Sequence, residues 1–325
     1  MTLKVVNYMS RIILSVITPC FNEVDSIRNC IARLSSVMQQ HLPEIEYEHI
    51  ITDNASTDGT ADVLREIAAV NSRVKVVIRS KNVGAPRNIY SALELARGDA
   101  VIPMLPADLQ DPAEVIPEFF SEWKKGNYVV YGIRKNRQEN IFLRSSRTLY
   151  YKIIHRFSEA TIVPNAGEFM LIDKKILQGI LEVEDQNPFI RGLVAQSGSN
   201  FSTVPYTWIK RDEGKSKATP FVLIDQAING LVSTSRIPAR LALLFGFGLS
   251  LLSILLGFYS GLGALLWADS SLPGVPTVIV TTFLFSGIQL FFLGLIGEYI
   301  LSIHGQIKPE PKSFPVELHN FDKGS

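Results

Sequence analysis

Asp108, Gln110 and Asp111 crowd into residues 104–112, MLPADLQDP, directly after a short apolar run. An open α/β sheet sets its ligand site where strands end, and side-chain oxygens delivered there are candidates for chemistry. Asp108, with Gln110 two residues on and on the same side of an extended chain, can offer oxygen ligands to a hard cation such as Mg2+ or Mn2+. A cation of that kind neutralises a diphosphate as it departs. Asp111-Pro112 has a second reading as a helix start, with Asp as N-cap and Pro in the first turn. Upstream, Asn22, Glu23 and Asp53 lie in loops at successive strand ends and supply acceptors for ribose hydroxyls and base N–H groups. Turn formation and helix capping account for Asn22 and Asp53 equally well, and Asp58 in Thr57-Asp58-Gly59 has the same local alternative.

Downstream the chemistry turns cationic. Between 134 and 156 the chain carries Arg134, Lys135, Arg137, Arg144, Arg147, Lys152 and Arg156 against the single acid Glu139. A solvated face explains many such runs. Here Arg144, Arg147 and Tyr151 share one helical face, and the arginine fork suits a phosphate, so Arg134, Arg137 and Arg144 are candidate phosphate ligands. Arg211, Ser216 and Lys217 form a second cluster in a polar loop, where Gly214 admits close backbone approach. They are candidates for closing over a bound phosphate or diphosphate.

The elements that must position these groups follow from patterning. Residues 11–18, 46–52, 74–79 and 100–105 are β-branched and apolar enough for buried strands, with Pro19 expected to end the first. Helical spacing follows each of the first three: Ile27, Ile31, Leu34 and Met38; Val63, Leu64 and Ile67; then 89–97. Strand and helix alternate, so the expected fold is α/β, a mainly parallel sheet with helices on both faces.

Charged residues are only 19% of the chain, and the deficit is local. No charge lies between Arg240 and Asp269, nor between Asp269 and Glu298. Each gap accommodates a spanning helix of about 20 residues, placing a transmembrane hairpin at about 241–267 and 277–303. Residues 220–240 read as an interfacial helix, which leaves 1–219 as the catalytic domain and 306–325 as a tail. Arg236, Arg240, Lys308 and Lys312 flank the outer ends, so the positive-inside rule puts domain and tail in the cytoplasm. A signal peptide is not expected in 1–10, which lacks an apolar core. Cys20 and Cys30 should then stay reduced, and the glycosylation patterns at Asn54 and Asn200 read as chance matches. A net charge of +1 gives no reason to expect nucleic acid. Neither G-x-G-x-x-G nor G-x-x-x-x-G-K-[ST] occurs where a dinucleotide or phosphate loop would need it.

In order and sensibly spaced, VITPCFNE at 16–23, TDNASTDGT at 52–60, KNVG at 81–84 and ADLQDP at 107–112 resemble glycosyltransferase family two, with its nucleotide-sugar-binding GT-A (Rossmann-like) fold. GIRKNR at 132–137, GEFMLID at 167–173, RDEGKSK at 211–217 and GEYI at 297–300 extend the resemblance to the polyprenyl-phosphate glycosyltransferases, over nearly the whole chain. That resemblance implies an inverting transfer of one sugar from a nucleotide-diphosphate donor, UDP-sugar favoured over GDP-mannose, to a polyprenyl phosphate, with Mg2+ or Mn2+ as cofactor. It implies donor contacts at Pro19, Asn22, Glu23, Asp53, Asp58 and Lys81, catalytic carboxylates at Asp108, Asp111 and Glu168, and lipid-phosphate contacts at Arg134, Arg137, Arg144, Arg211, Ser216 and Lys217. It also implies a bacterial inner membrane and, by analogy, a homo-oligomer.

Two positions depart from the family pattern. Pro106 stands where many relatives carry the first Asp of Asp-x-Asp, and Gly167-Glu168-Phe169-Met170 replaces the common Gly-Asp-Phe-Arg. These changes point to a different donor sugar or to weakened catalysis, and the latter keeps a membrane scaffold as an alternative. A processive polysaccharide synthase is the other alternative, although none of Trp123, Trp208 and Trp267 follows the Arg of its Gln-x-x-Arg-Trp motif.

Overall fold

The computed structural model describes residues 12–135, 163, 166–183, 188–208, 244–249, 251–252, 255, 275–307 and 314–321. Their order is β1 (Ile13–Cys20), α1 (Ile27–His41), β2 (Glu46–Asp53), α2 (Thr60–Val70), β3 (Val74–Arg79), α3 (Ala85–Leu93), β4 (Ala100–Ile102), a 3-10 turn (Ala113–Val115), α4 (Ile116–Lys124), β5 (Val129–Lys135), β6 (Ala166–Asp173), α5 (Lys174–Leu181), α6 (Ile190–Gln196), β7 (Phe201–Thr207), α7 (Val275–Ile307) and β8 (Pro315–His319). The strands form one sheet in the order β7-β5-β6-β4-β1-β2-β3-β8. β6 runs against β4 and β5, and β8 runs against β3, while the other ladders are parallel. The mainly parallel α/β layer expected from the sequence is therefore present.

Both faces of the sheet are buried because successive side chains of each strand point to opposite sides. Leu14 and Val16 pack with Leu34 and Met38 of α1 and with Phe119 of α4. Ile17 and Val101 pack on the other face with Ile89 of α3, Leu177 of α5 and Val194 of α6. β1 runs through Pro19 to Cys20 instead of stopping before the proline. Val16 is its last partner on β4, so Pro19 lies where β1 has a ladder neighbour on one side only, a position that tolerates a missing N–H.

β4 is shorter than its apolar run suggests, ending at Ile102. The chain then leaves the ladder, tethered by the Leu105 N–H donating to the Ile17 carbonyl at 2.8 Å. The third helix starts earlier than its apolar spacing suggests, since Gly84 (φ 82) caps it and Pro86 occupies its first turn.

The stretch expected as a tail carries β8. Glu317 accepts two 2.8 Å hydrogen bonds from Arg65. Asn320, at φ 64, donates to the carbonyls of Ala68 and Val74 at 2.8 Å each. The alternating exposure of Pro315–His319 is that of an edge strand with one face covered.

The described residues fall into two compact units, one holding the sheet and its helices, the other holding α7 and the helical residues at 244–255. α7 contains an apolar window, Leu284–Leu301, of mean hydropathy 1.7, long and apolar enough to cross a membrane. Most of the first expected span, 241–267, and all of 220–240 lie outside the described residues.

Candidate active site

The carboxyl ends of β1, β2 and β4 open onto a cleft of about 270 Å3. Pro19, Phe21 and Glu23 line it from β1 and the loop after it, Asn54 from the end of β2, Asn88 from α3, Pro106, Asp108, Gln110 and Asp111 from the chain after β4, and Arg134 from β5. Of the expected donor residues, Pro19 and Glu23 thus face the cleft.

Asn22, Asp53 and Asp58 instead knit two loops together. Asn22 (φ 56) accepts from the Thr57 N–H at 2.8 Å, and its own N–H donates to Ser56 Oγ at 2.9 Å. Fully buried Asp53 accepts from the Ser56 N–H at 3.0 Å. Asp58 accepts from the Thr60 N–H at 3.0 Å and the Val24 N–H at 3.2 Å. Some desolvation works against its charge, but these bonds hold the Asp58 carboxyl below its ordinary range. Lys81 is exposed and does not line the cleft.

The wall is stiffened by asparagines that sequence reasoning passed over. Asn88 donates to the Thr52 carbonyl at 2.9 Å and accepts from the Thr52 hydroxyl at 2.6 Å. Asn54, whose pattern resembled a glycosylation acceptor, is 5% exposed and spends its amide on Asn82 and on the Val83 N–H, both at 2.9 Å. Its place inside the TDNASTDGT motif was the available signal.

The stretch after β4 makes a tight turn. Leu109 N–H donates to the Pro106 carbonyl at 3.0 Å, and the Asp108 carboxylate accepts from the Gln110 N–H at 3.2 Å. Leu109 has φ 54, a left-handed conformation that costs an L-residue about 1–2 kcal/mol.

Asp111 is 2% exposed and does not cap a helix; Pro112 occupies the cap position of the 3-10 turn. Its carboxylate is gripped by Arg134 through Nε at 3.0 Å and Nη2 at 2.8 Å, and by the Tyr206 hydroxyl at 2.5 Å. Against the desolvation of burial, Asp111 holds the Arg134 guanidinium above its usual range. The indole of Trp208 lies 5.9 Å from the guanidinium carbon. Tyr206 and Trp208 escaped the sequence reading because no motif surrounds them.

Glu168 stands on β6 and does not line the cleft. It is partly exposed as a residue, yet protein crowds its carboxyl, and this desolvation raises its pKa while Arg191 pulls it down. Arg191 itself is anchored by Nη1 donating to the Ala166 carbonyl at 2.7 Å. Met170, at the position where relatives often carry a cation, is fully buried in the core. Arg137, Arg144, Arg211, Ser216 and Lys217 lie outside the described residues.

A divalent cation fits this site in one form. Asp108 and Gln110 both line the cleft, whereas Arg134 and Tyr206 occupy the carboxylate of Asp111. Among the described residues no group of three or more His, Cys, Asp or Glu gathers into a cage. Two protein oxygens suit an ion that takes its remaining ligands from substrate phosphate and water, as Mg2+ commonly does.

The sequence profile of Glycosyl transferase family 2 matches residues 15–181. An uncharacterized glycosyltransferase, YkcC of Bacillus subtilis, is 33% identical over 93% of this chain and 94% of its own length. The SfII prophage-derived bactoprenol glucosyl transferase of Shigella flexneri is 29% identical over 94% of this chain and 98% of its own. Among solved structures, a mannosyltransferase of Pyrobaculum calidifontis in complex with GDP-Man and Mn2+ aligns at 18% identity and a TM-score of 0.45, over 75% of this chain and 81% of that one.

Proposed function

This chain belongs to glycosyl transferase family 2, and from that premise we propose that it moves one sugar from a nucleotide-diphosphate donor to a polyprenyl phosphate. UDP-sugar is the favoured donor and GDP-mannose the second. The observation that carries the reading is a single cleft lined both by Asp108 and Gln110 and by Arg134, where a donor diphosphate and an acceptor phosphate can be held side by side. The Shigella relative, named for bactoprenol, supports the lipid acceptor.

In this reading the loops after β1 and β2 receive the nucleotide, with Pro19 and Glu23 at the cleft and Asn22, Asp53 and Asp58 fixing the loops' shape. Asp108 and Gln110 hold a Mg2+ or Mn2+ ion, whose chemistry is to neutralise charge on the diphosphate. Asp111 occupies the Nε and Nη2 side of Arg134 and aims the guanidinium at the acceptor phosphate. Arg137, Arg144, Arg211, Ser216 and Lys217 complete that phosphate site. A phosphate monoester has a second pKa near 6 and is largely dianionic at neutral pH, so its oxygen attacks the anomeric carbon with little help. The bond to the nucleoside diphosphate breaks with its electron pair, and the configuration inverts. Glu168 stands outside the described cleft wall but follows Gly167, where a Cβ would lie 3.6 Å from Arg134 Nη2. On the Arg134 side it orients the acceptor or sugar and accepts the proton of an acceptor that arrives protonated. Holding two anions together is the main catalytic task.

The apolar α7 anchors the protein in a bilayer, a bacterial inner membrane in first place, with the catalytic unit on the cytoplasmic side and a homo-oligomer as the assembly. The test is incubation of the full-length protein with Mg2+ or Mn2+, undecaprenyl phosphate and a panel of UDP- and GDP-sugars. A glycosylated lipid carrying one sugar is the expected product; folded protein that makes none with any donor overturns the reading, and an elongating polymer replaces it with a synthase.

A further inference from the structure

β7 brings Tyr206 against Asp111 and Arg134, two residues that line the cleft. The Tyr206 hydroxyl donates to Asp111 Oδ1 at 2.5 Å and accepts from Arg134 Nε at 3.1 Å, closing a ring of contacts with the two bonds that Arg134 gives to Asp111. The phenol's donor and one of its acceptor positions are thereby directed at this one ion pair. Its ring stands edge-on to Phe169, centroids 5.5 Å apart. Gly132 makes room for it: a Cβ there would come within 2.8 Å of the Tyr206 ring and 2.7 Å of the Phe169 carbonyl.

The consequence runs back along the chain from Asp111. Leu109 is left-handed, and a turn built on such a residue relaxes unless both flanks are fixed. The upstream flank is tied at Leu105 to the Ile17 carbonyl. The downstream flank is tied at Asp111, which is 2% exposed and held by Arg134 and Tyr206.

We propose that Tyr206 is a positioning residue: by locking Asp111 and Arg134 into one unit, it holds the strained 108–110 turn with Asp108 and Gln110 facing the cleft, and so couples the donor side to the acceptor side. Its functional consequence rests on the reading of Asp108 and Gln110 as the donor-diphosphate end.

The experiment compares wild type, Tyr206→Phe and Asp111→Asn as full-length protein in lipid nanodiscs. Tyr206→Phe keeps the ring and removes only the hydroxyl. Without ligand, amide hydrogen exchange over 104–112 is expected to quicken about tenfold in both variants, while β1 and β2 exchange as before. With ligand, the KM for the sugar donor is expected to rise about tenfold, the loss of one hydrogen bond to a charged group. Calorimetric titration with Mn2+ and UDP or GDP should weaken in step. Unchanged exchange over 104–112 overturns the proposal. So does faster exchange spread evenly over β5 and β7 with an unaltered KM, which is the mark of a structural role alone. Wild-type protein that glycosylates no lipid would remove the functional reading, while the exchange comparison would still decide what Tyr206 does.

Discussion

The two sides of the cleft are wired differently. After β1 and β2 the polar side chains satisfy one another within adjacent loops, as Asp53 does with Ser56 three residues on and Asp58 with Thr60 two residues on. At β5 and β7 one buried ion pair joins Asp111, Arg134 and Tyr206, residues 23, 72 and 95 apart in the chain. Loops stitched by many separate bonds lose them one at a time, each worth about 1 kcal/mol. A buried pair fails as a unit, because removing one partner strands the other's charge. The geometry of the loops after β1 and β2 is therefore robust to single changes, and that of the Asp111–Arg134–Tyr206 unit is not.

Asp108→Ala is the harshest test of the donor side, because it leaves the stitched loops intact and removes the carboxylate at the cleft. Sugar transfer should fall about 10^3-fold with the melting temperature nearly unchanged; near-normal turnover would take Asp108 out of the diphosphate site.

The wiring contrast itself is broken or sharpened by pairing Arg134→Ala with Asn22→Ala. Arg134→Ala strands an Asp111 side chain that is only 3% exposed and should destabilise by about 2–4 kcal/mol, below the upper range for a buried pair because Arg134 keeps 22% of its own side-chain exposure. Asn22→Ala removes the bond from the Thr57 N–H and a long one from the Thr57 hydroxyl, puts Ala at φ 56, and should cost about 1–2 kcal/mol. Denaturant unfolding of the two variants measures both, and equal costs would erase the distinction.

The smallest effect belongs to Glu168. Burial raises its pKa above the ordinary 4.5, with Arg191 opposing. A carboxylate needed in its charged form is lost as pH falls through that raised value, so the acid limb of the pH–rate profile should lie above 4.5. Arg191→Ala should push the Glu168 limb higher, and Glu168→Gln should leave only the limb of the acceptor phosphate at about 6. A profile unchanged by Glu168→Gln takes Glu168 out of the reaction.

The legibility of each region follows the same division. Glu23, Asp53 and Asp108 stand in motifs with partners two or three residues away. Asn22 stands in a motif although its partners Ser56 and Thr57 lie across the cleft loops, and the alternation of apolar strands and helices was enough for a mainly parallel sheet. Asp111 was ambiguous for the opposite reason: as a cap it would act locally, yet its partners come from β5 and β7. The same distance hid Tyr206, Trp208 and Asn88, whose neighbours exist only after the sheet assembles. β8 was hidden too, since five residues of alternating polarity after a long apolar stretch carry little signal until β3 offers its edge.

By itself the sequence determined the family, the α/β class, the apolar stretch that becomes α7, and the candidacy of Asp108 and Gln110, because these depend on composition, periodicity and short-range order. Only the tertiary structure decided that Asp111 is an ion-pair anchor and not a helix cap, that Asn22, Asp53 and Asp58 hydrogen-bond within and between the loops after β1 and β2, and that residues 315–319 add an edge strand to the sheet. Each of those outcomes depends on which groups distant in the chain come into contact, and at buried Asp111 and Asp53 an unpaired charge costs several times what it would in water.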